Sequence, residues 1–243
     1  MVKVILVDRK SNALMPSSLQ CLSYLPTINM TAGCVHGCAY CYIRGCSQYP
    51  DDYAVVVYRN IAQQVERELQ RKRKRPNAVY FCPSSDEFMS VDEVLDQSYR
   101  TMRLLLHQDI GVQFVTKGAI PERFIDLFAS RHELVAGQVG LTAIDHELNG
   151  AIEPKSAPAQ HRLDDLGRLI KIGVTTSLRA DPLMHGVTDY EGGTHVDSWH
   201  GCKWRWNIPP QRYALQRIRT GTHHRCTPWF EAAHLRLQEW RPD

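Results

Sequence analysis

The 243-residue chain has no apolar run long enough to cross a bilayer. Its longest, such as Val2 to Val7 and Val55 to Val57, are strand-sized, against the roughly 20 residues a spanning helix needs. It also lacks an excess of charge of one sign: 29 Lys and Arg against 26 Asp and Glu give +3, too little to mark a nucleic-acid protein. Asp8, Arg9 and Lys10 directly follow an apolar run too short for a signal-peptide core, so a cytoplasmic protein without a membrane partner is expected. Low-complexity linkers and internal repeats are absent, and tryptophan does not occur before Trp199. Disorder, collagen and coiled coil are thereby excluded.

Cysteine, by contrast, is plentiful and clustered. Of eight, Cys21, Cys34, Cys38, Cys41 and Cys46 fall within 26 residues, which in a reducing compartment points to metal before disulfides. Between residues 78 and 178 short β-type runs alternate with helical segments. Ala78 to Phe81, Val112 to Thr116, Gln138 to Leu141 and Val174 to Leu178 read as strands, and another is expected within Tyr24 to Met30. Five βα units imply an α/β fold with a parallel sheet, an open or partial barrel whose chemistry sits at the C-terminal strand ends. Asn60 with Gln63 is expected to cap a helix burying Ile61, Val65 and Leu69. Ser90 with Glu93 forms a capping box before Val94, Leu95, Met102 and Leu105. Pro121 and Pro158 suit first helical turns, and Gly173 after Ile172 suits a helix stop.

The sequence Gly33-Cys34-Val35-His36-Gly37-Cys38-Ala39-Tyr40-Cys41-Tyr42 is a C-x3-C-x2-C array in a glycine-containing loop. Zinc would want a fourth ligand, for which Cys46 is available; three thiolates from one loop suit an iron-sulfur cluster with one iron left open. This array resembles that of the radical S-adenosylmethionine (SAM) enzymes. Within them the chain resembles the spore photoproduct lyase-like branch, also labelled DNA repair photolyase-like. That likeness rests on GCVHGCAYCY, CPSSDEF, FVTKG and the run from IEPKSAP through LRADPLMHGVTD. It implies a partial βα barrel of the radical SAM type, in which Cys34, Cys38 and Cys41 hold a 4Fe-4S cluster. It implies reductive cleavage of SAM to a 5'-deoxyadenosyl radical, a one-electron reductant such as flavodoxin or ferredoxin, and a carbon-carbon lyase acting on DNA with a thymine photolesion. A metal- or cluster-containing module that binds nucleic acid without turnover is the alternative.

By the same resemblance Cys82 donates a hydrogen atom to the product radical, and Tyr42, flanking the third cysteine, relays the radical. Tyr40 contacts adenine, Ser85 and Asp86 contact SAM, Lys117 pairs with its carboxylate, Thr142 meets its methionine part, and Arg179 adds a further contact. Cys82-Pro83-Ser84-Ser85-Asp86 is one residue longer between cysteine and Ser-Asp pair than the lyase pattern. Read from the residues alone, Cys82 is equally a small buried hydrophobe, Lys117 a solvated lysine, and Arg179 a buried partner of Asp181 or Glu153. His36 is either a turn residue or a hydrogen bond to a cluster sulfide. The basic run Arg71 to Arg75 is either a solvated helix end or a phosphate-binding patch.

Three regions are expected: an N-terminal extension over 1–23, the radical SAM core over 24–191, and an atypical segment over 192–243 rich in Trp, His and Arg. That last segment reads as frameshifted or truncated, as a second metal site built on His200, Cys202, His223, His224 and Cys226, or as an aromatic-rich binding surface.

Overall fold

A computed structural model describes residues 2–17, 24–184 and 187–188. Two sheets organise them. The smaller joins β1 (Lys3–Val7), parallel to β5 (Ala54–Tyr58), which pairs antiparallel with β4 (Thr31–Ala32). The larger runs β2 (Met15–Pro16), β3 (Pro26–Ile28), β6 (Ala78–Phe81), β7 (Gly111–Thr116), β8 (Val135–Gly140) and β9 (Thr175–Arg179). From β3 onward its neighbours are parallel, and β2 lies antiparallel along the outer side of β3. The helices are α1 (Ile61–Arg71), α2 (Asp92–His107), α3 (Glu122–Ala129), α4 (His146–Ile152) and α5 (Ala159–Lys171). Five parallel strands joined by helical crossovers make the partial, open βα barrel, with all five strand ends on one rim.

Alternation along the strands decides what the helices cover. Val112 and Phe114 of β7 and Val79 and Phe81 of β6 are fully buried, in a core that also takes Ile61, Val65 and Leu69 from α1 and Val94, Met102 and Leu105 from α2. Phe88, in the loop after β6, packs edge-on to Phe114 and Phe124, with centroids 5.3 and 4.9 Å away. Truncating one of these rings to alanine costs about 3–5 kcal/mol. Gly118, just past β7, permits this loop to close: a Cβ there would stand 2.2 Å from the Phe88 carbonyl oxygen. The apolar anchor therefore fixes two neighbouring rim loops against each other.

Several local expectations are corrected. The third strand of the alternating series starts at Val135 rather than Gln138, because Ala136 and Gly137 disguise the first half of the run. Leu95 is only half-buried. Asn60 precedes α1 without capping it, since its side chain accepts from the Arg9 amide at 2.8 Å and donates to the Arg9 carbonyl at 3.1 Å. The Ser90 capping box does not form; Val91 holds the cap position of α2. Pro121 and Pro158 stand one residue ahead of α3 and α5, and Gly173 ends α5 in the left-handed region. Residues 2–17, expected to precede the core, are woven into both sheets. Among the described residues no helix is long and apolar enough to cross a membrane. Cys21 and the expected segment 192–243, with its candidate second metal site, lie outside the described residues.

Candidate active site

The three-cysteine loop follows β4 and crosses the rim. Gly33 and Gly37 bend it at φ values of 85° and 67°, a region that disfavours side chains. Arg44 then braces it, donating to the carbonyls of Cys38 at 2.7 Å and of Gly37 and Ala39 at 3.3 Å each. From the other side the Ala39 amide donates to the Ile152 carbonyl at 2.8 Å, and the Lys155 amide to the His36 carbonyl at 3.1 Å. Cys38 is buried, Cys34 and Cys41 are half-buried and Cys46 is exposed. Burial pushes the Cys38 thiol up to about 11, and burial with the Asp86 charge raises Cys34 well above its ordinary value. Such thiols ionise when metal charge replaces their protons. Among the described residues no three His, Cys, Asp or Glu side chains converge on a single-ion site. Three thiols supplied by one loop are the donor chemistry of an iron-sulfur cluster, and in that respect the residues present fit one.

Behind the loop lies a first buried knot, centred on Asp86. Its carboxylate accepts from the amides of Phe88 at 2.8 Å and Lys117 at 2.7 Å and from the Thr116 hydroxyl at 2.8 Å. His36 Nε2 stands 3.0 Å away, an ion-pair contact rather than a well-directed hydrogen bond, while Nδ1 donates to the Lys155 carbonyl at 3.1 Å. Burial opposes charge on both partners, yet each holds the other's: His36 rises above its ordinary value and the Asp86 carboxyl falls below its own. With its oxygens so committed, Asp86 ties the cysteine loop to the end of β7 and to the Phe88 loop. His36 likewise faces this knot and the Lys155 carbonyl.

A second knot centres on Glu153, just after α4. Arg162 of α5, fully buried, lies 2.7 Å from it and also donates to the carbonyls of Gly140 at 2.8 Å and Ala157 at 2.6 Å. Tyr40 donates its hydroxyl to Glu153, as does Thr142 at 2.7 Å; Asn149 adds an amide bond at 3.1 Å. Lys117 completes the group with Nζ 3.4 Å from Glu153 and 4.7 Å from the Tyr40 ring centre. Burial works against the Glu153 charge, but Arg162 and then Lys117 hold its carboxyl below the ordinary range. Tyr40, Lys117 and Thr142, expected at the cofactor, are thus brought together from three loops, around two residues, Glu153 and Arg162, whose central part the sequence did not disclose.

The remaining expected residues spread along the rim. Tyr42 is exposed and donates its hydroxyl to the Pro83 carbonyl, beside the buried Cys82. Ser85 is half-buried. Arg179 is exposed and pairs with Asp181 at 2.9 Å, so the pairing exists but is neither buried nor made with Glu153. Arg71 to Arg75 are exposed at the C-terminal end of α1, ahead of β6 and therefore at the end of the sheet opposite the rim.

The sequence pattern of the Radical SAM superfamily matches residues 28–197, more than half of the chain. The chain belongs to that superfamily. Among curated radical SAM relatives, the "Radical SAM Nalpha-GlyT isomerase" of Pseudomonas phage M6 is 23% identical over 164 residues, 67% of this chain and 34% of that protein. An uncharacterized protein of Mycobacterium tuberculosis is 26% identical over 189 residues, 74% of this chain and 55% of that one. Spore photoproduct lyase complexed with dinucleoside spore photoproduct shares the fold at a TM-score of 0.58 and 16% identity, over 75% of this chain and 52% of that one. A double mutant of the lyase with bound AdoMet and dinucleoside spore photoproduct matches at a TM-score of 0.56 and 15% identity, over 72% and 50%. The chain spans about a third to a half of the length of these proteins.

Proposed function

We propose that this radical SAM protein reductively cleaves SAM and uses the resulting radical on a thymine lesion in DNA, as a carbon-carbon lyase. The observation that carries the SAM chemistry is the braced loop of Cys34, Cys38 and Cys41 at the strand-end rim, whose own Tyr40 meets Lys117 and Thr142. The three thiols would hold a 4Fe-4S cluster, which when bound passes one electron to SAM, giving methionine and a 5'-deoxyadenosyl radical. Around it, Lys117 exchanges Glu153 for a ligand carboxylate, while Tyr40, fixed by its hydroxyl, offers its ring to adenine. Thr142, Ser85 and Arg179 supply further polar contacts.

Cys82 is the hydrogen-atom donor in this reading. Its S–H bond breaks as a C–H bond forms on the product radical, and the unpaired electron moves to sulfur. Tyr42, hydrogen-bonded to the residue next to Cys82, then gives its hydroxyl hydrogen atom to the sulfur and carries the radical onward. The DNA substrate is supported by the fold shared with spore photoproduct lyase, which is complexed with dinucleoside spore photoproduct in one of the matching structures. A flavodoxin- or ferredoxin-type donor and a cytoplasmic setting complete the proposal.

The test is anaerobic reconstitution followed by an assay for 5'-deoxyadenosine with dithionite and SAM. Cys34→Ala, Cys38→Ala and Cys41→Ala should each abolish the brown cluster absorbance, and Cys46→Ala should keep it. An intact cluster that cleaves no SAM would return the chain to a binding module. Cleavage of SAM with an oligonucleotide spore photoproduct left unrepaired would discard the DNA lesion and keep the radical chemistry.

A further inference from the structure

Cys82 stands at the end of β6 in a conformation that needs a cause. Its φ is 47°, in the left-handed region that branched and bulky side chains avoid, and Pro83 after it disfavours helical backbone further. The strain is held by two bonds: the Cys82 amide donates to the Ile28 carbonyl at 2.7 Å, and its carbonyl accepts from the Ser85 amide at 3.2 Å. This turn takes the thiol off the line of the strand and buries it, leaving 4% of the residue exposed. Strained backbone of this kind persists where surrounding structure over-determines it, and functional sites are where it gathers.

What lies beside the thiol is Glu87, a buried carboxylate that neither knot uses. It is 0% exposed, and neither of its oxygens has a directed hydrogen bond. Among the described residues the Cys82 thiol lies beside this carboxyl without a directed hydrogen bond to it, and the buried Ser85 hydroxyl, also without a partner of its own, approaches the same thiol. An ionised carboxylate so enclosed and unpaired would cost several kcal/mol, so the group is a neutral acid. Burial accordingly raises its pKa well above the ordinary carboxylate range, with the Asp86 charge next to it acting in the same sense.

We propose that Glu87 is the positioning residue of Cys82: its neutral carboxyl accepts the S–H hydrogen bond, holds the sulfur protonated, and fixes the direction in which the hydrogen atom leaves. This rests on the reading of Cys82 as donor. A thiolate has no hydrogen atom to give, so a donor cysteine needs a neighbour that is polar but uncharged; a buried protonated acid meets both conditions. Burial also raises the Cys82 thiol well above its ordinary value.

Infrared difference spectra of the anaerobically reconstituted chain test the pair without substrate. Subtracting Cys82→Ala isolates the Cys82 S–H stretch. That band should lie at the low-frequency, hydrogen-bonded end, shift upward in Glu87→Leu, and return in Glu87→Gln, which restores a neutral carbonyl acceptor. The Glu87→Gln difference spectrum should show loss of a protonated-acid carbonyl band at neutral pH. An S–H band unmoved in Glu87→Leu, or a carboxylate signature in place of the acid, overturns the proposal. If Glu87→Leu fails to fold, Cys82→Ala decides: removal of the donor should shift the acid carbonyl upward, and an unmoved carbonyl overturns the pairing. The 5'-deoxyadenosine assay on the native chain runs separately. No SAM cleavage there would defeat the donor role of Cys82, whereas an unmoved band would defeat the pair.

Discussion

Two carboxylates anchor the same rim in opposite ways. Asp86 is saturated: two amides, a hydroxyl and an imidazole occupy it from positions spread over three loops, and none of them reaches solvent freely. Glu153 is equally buried, but one of its partners is loose. Lys117 is held at 3.4 Å by a side chain that keeps 19% of its surface exposed, while Arg162 on the other side is 0% exposed and bonded at 2.7 Å. The first knot has no exchangeable partner among these groups. The second has one rigid cation and one exchangeable cation, which lets a ligand carboxylate displace Glu153 from Lys117 without leaving Glu153 as an unpaired buried charge.

Removing the rigid cation should therefore produce the largest effect. Arg162→Met leaves Glu153 buried with a single, weakly held cation, and a loss of about 3–5 kcal/mol is expected in urea unfolding of the reconstituted chain. A loss below about 1 kcal/mol would mean that Lys117 can carry Glu153 alone, erasing the asymmetry. Next comes Asp86→Asn, which keeps the size but removes the charge that holds His36. About 1.5–3 kcal/mol is expected, the range for hydrogen bonds to charged groups, together with faster loss of the cluster as the loop loosens.

Acid should expose both knots at once. Asp86 and Glu153 have folded-state values below their ordinary 3.8 and 4.5, so the stability they contribute is complete above those values and is lost as pH falls through the lower, folded ones. Glu87 has the reverse sign. Its folded value lies well above the ordinary 4.5, so the stability linked to its proton is present below that point and drains away as pH rises toward the folded value. Glu87→Gln should accordingly flatten the decline of stability on the alkaline side, and Asp86→Asn should flatten it on the acid side. Unfolding midpoints followed from pH 3 to 9 check both; identical profiles in native and Glu87→Gln protein would show that Glu87 is ionised in the fold.

Much of this rim is legible in the sequence because its residues follow strands. Lys117 comes one residue after β7 and Thr142 two after β8, and the βα spacing alone puts such positions at one end of a parallel sheet. The three cysteines announce themselves by spacing. The charges at the centre do not. Glu153 enters the sequence reading only as an alternative partner of Arg179, and its actual Tyr40 partner is 113 residues away. Arg162 lies on an amphipathic helix where apolar periodicity says nothing of a buried guanidinium. Glu87 hides for another reason: beside Asp86 it looks like half of a solvated acidic pair, and only the fold shows that Phe88 and Gly118 close over the loop that carries it.

The smallest effects on stability should separate the loose cation of the second knot from the exposed pair farther along the rim. Lys117→Ala removes a partly exposed contact at 3.4 Å while Arg162 remains, so unfolding should change by no more than about 1 kcal/mol. SAM affinity should fall at least tenfold, equivalent to about 1.4 kcal/mol, because the displaced cation is the one that meets the ligand. Arg179→Ala breaks only the exposed pair with Asp181 and should cost under about 1 kcal/mol in stability, with a weaker effect on affinity than Lys117→Ala. Equilibrium binding of SAM to the reconstituted variants, set beside their unfolding curves, reads both quantities. If Lys117→Ala lowers stability as much as Arg162→Met and leaves SAM binding unchanged, then Lys117 is as structural as Arg162, both carboxylates of the rim serve only the fold, and the carboxylate of SAM is held elsewhere.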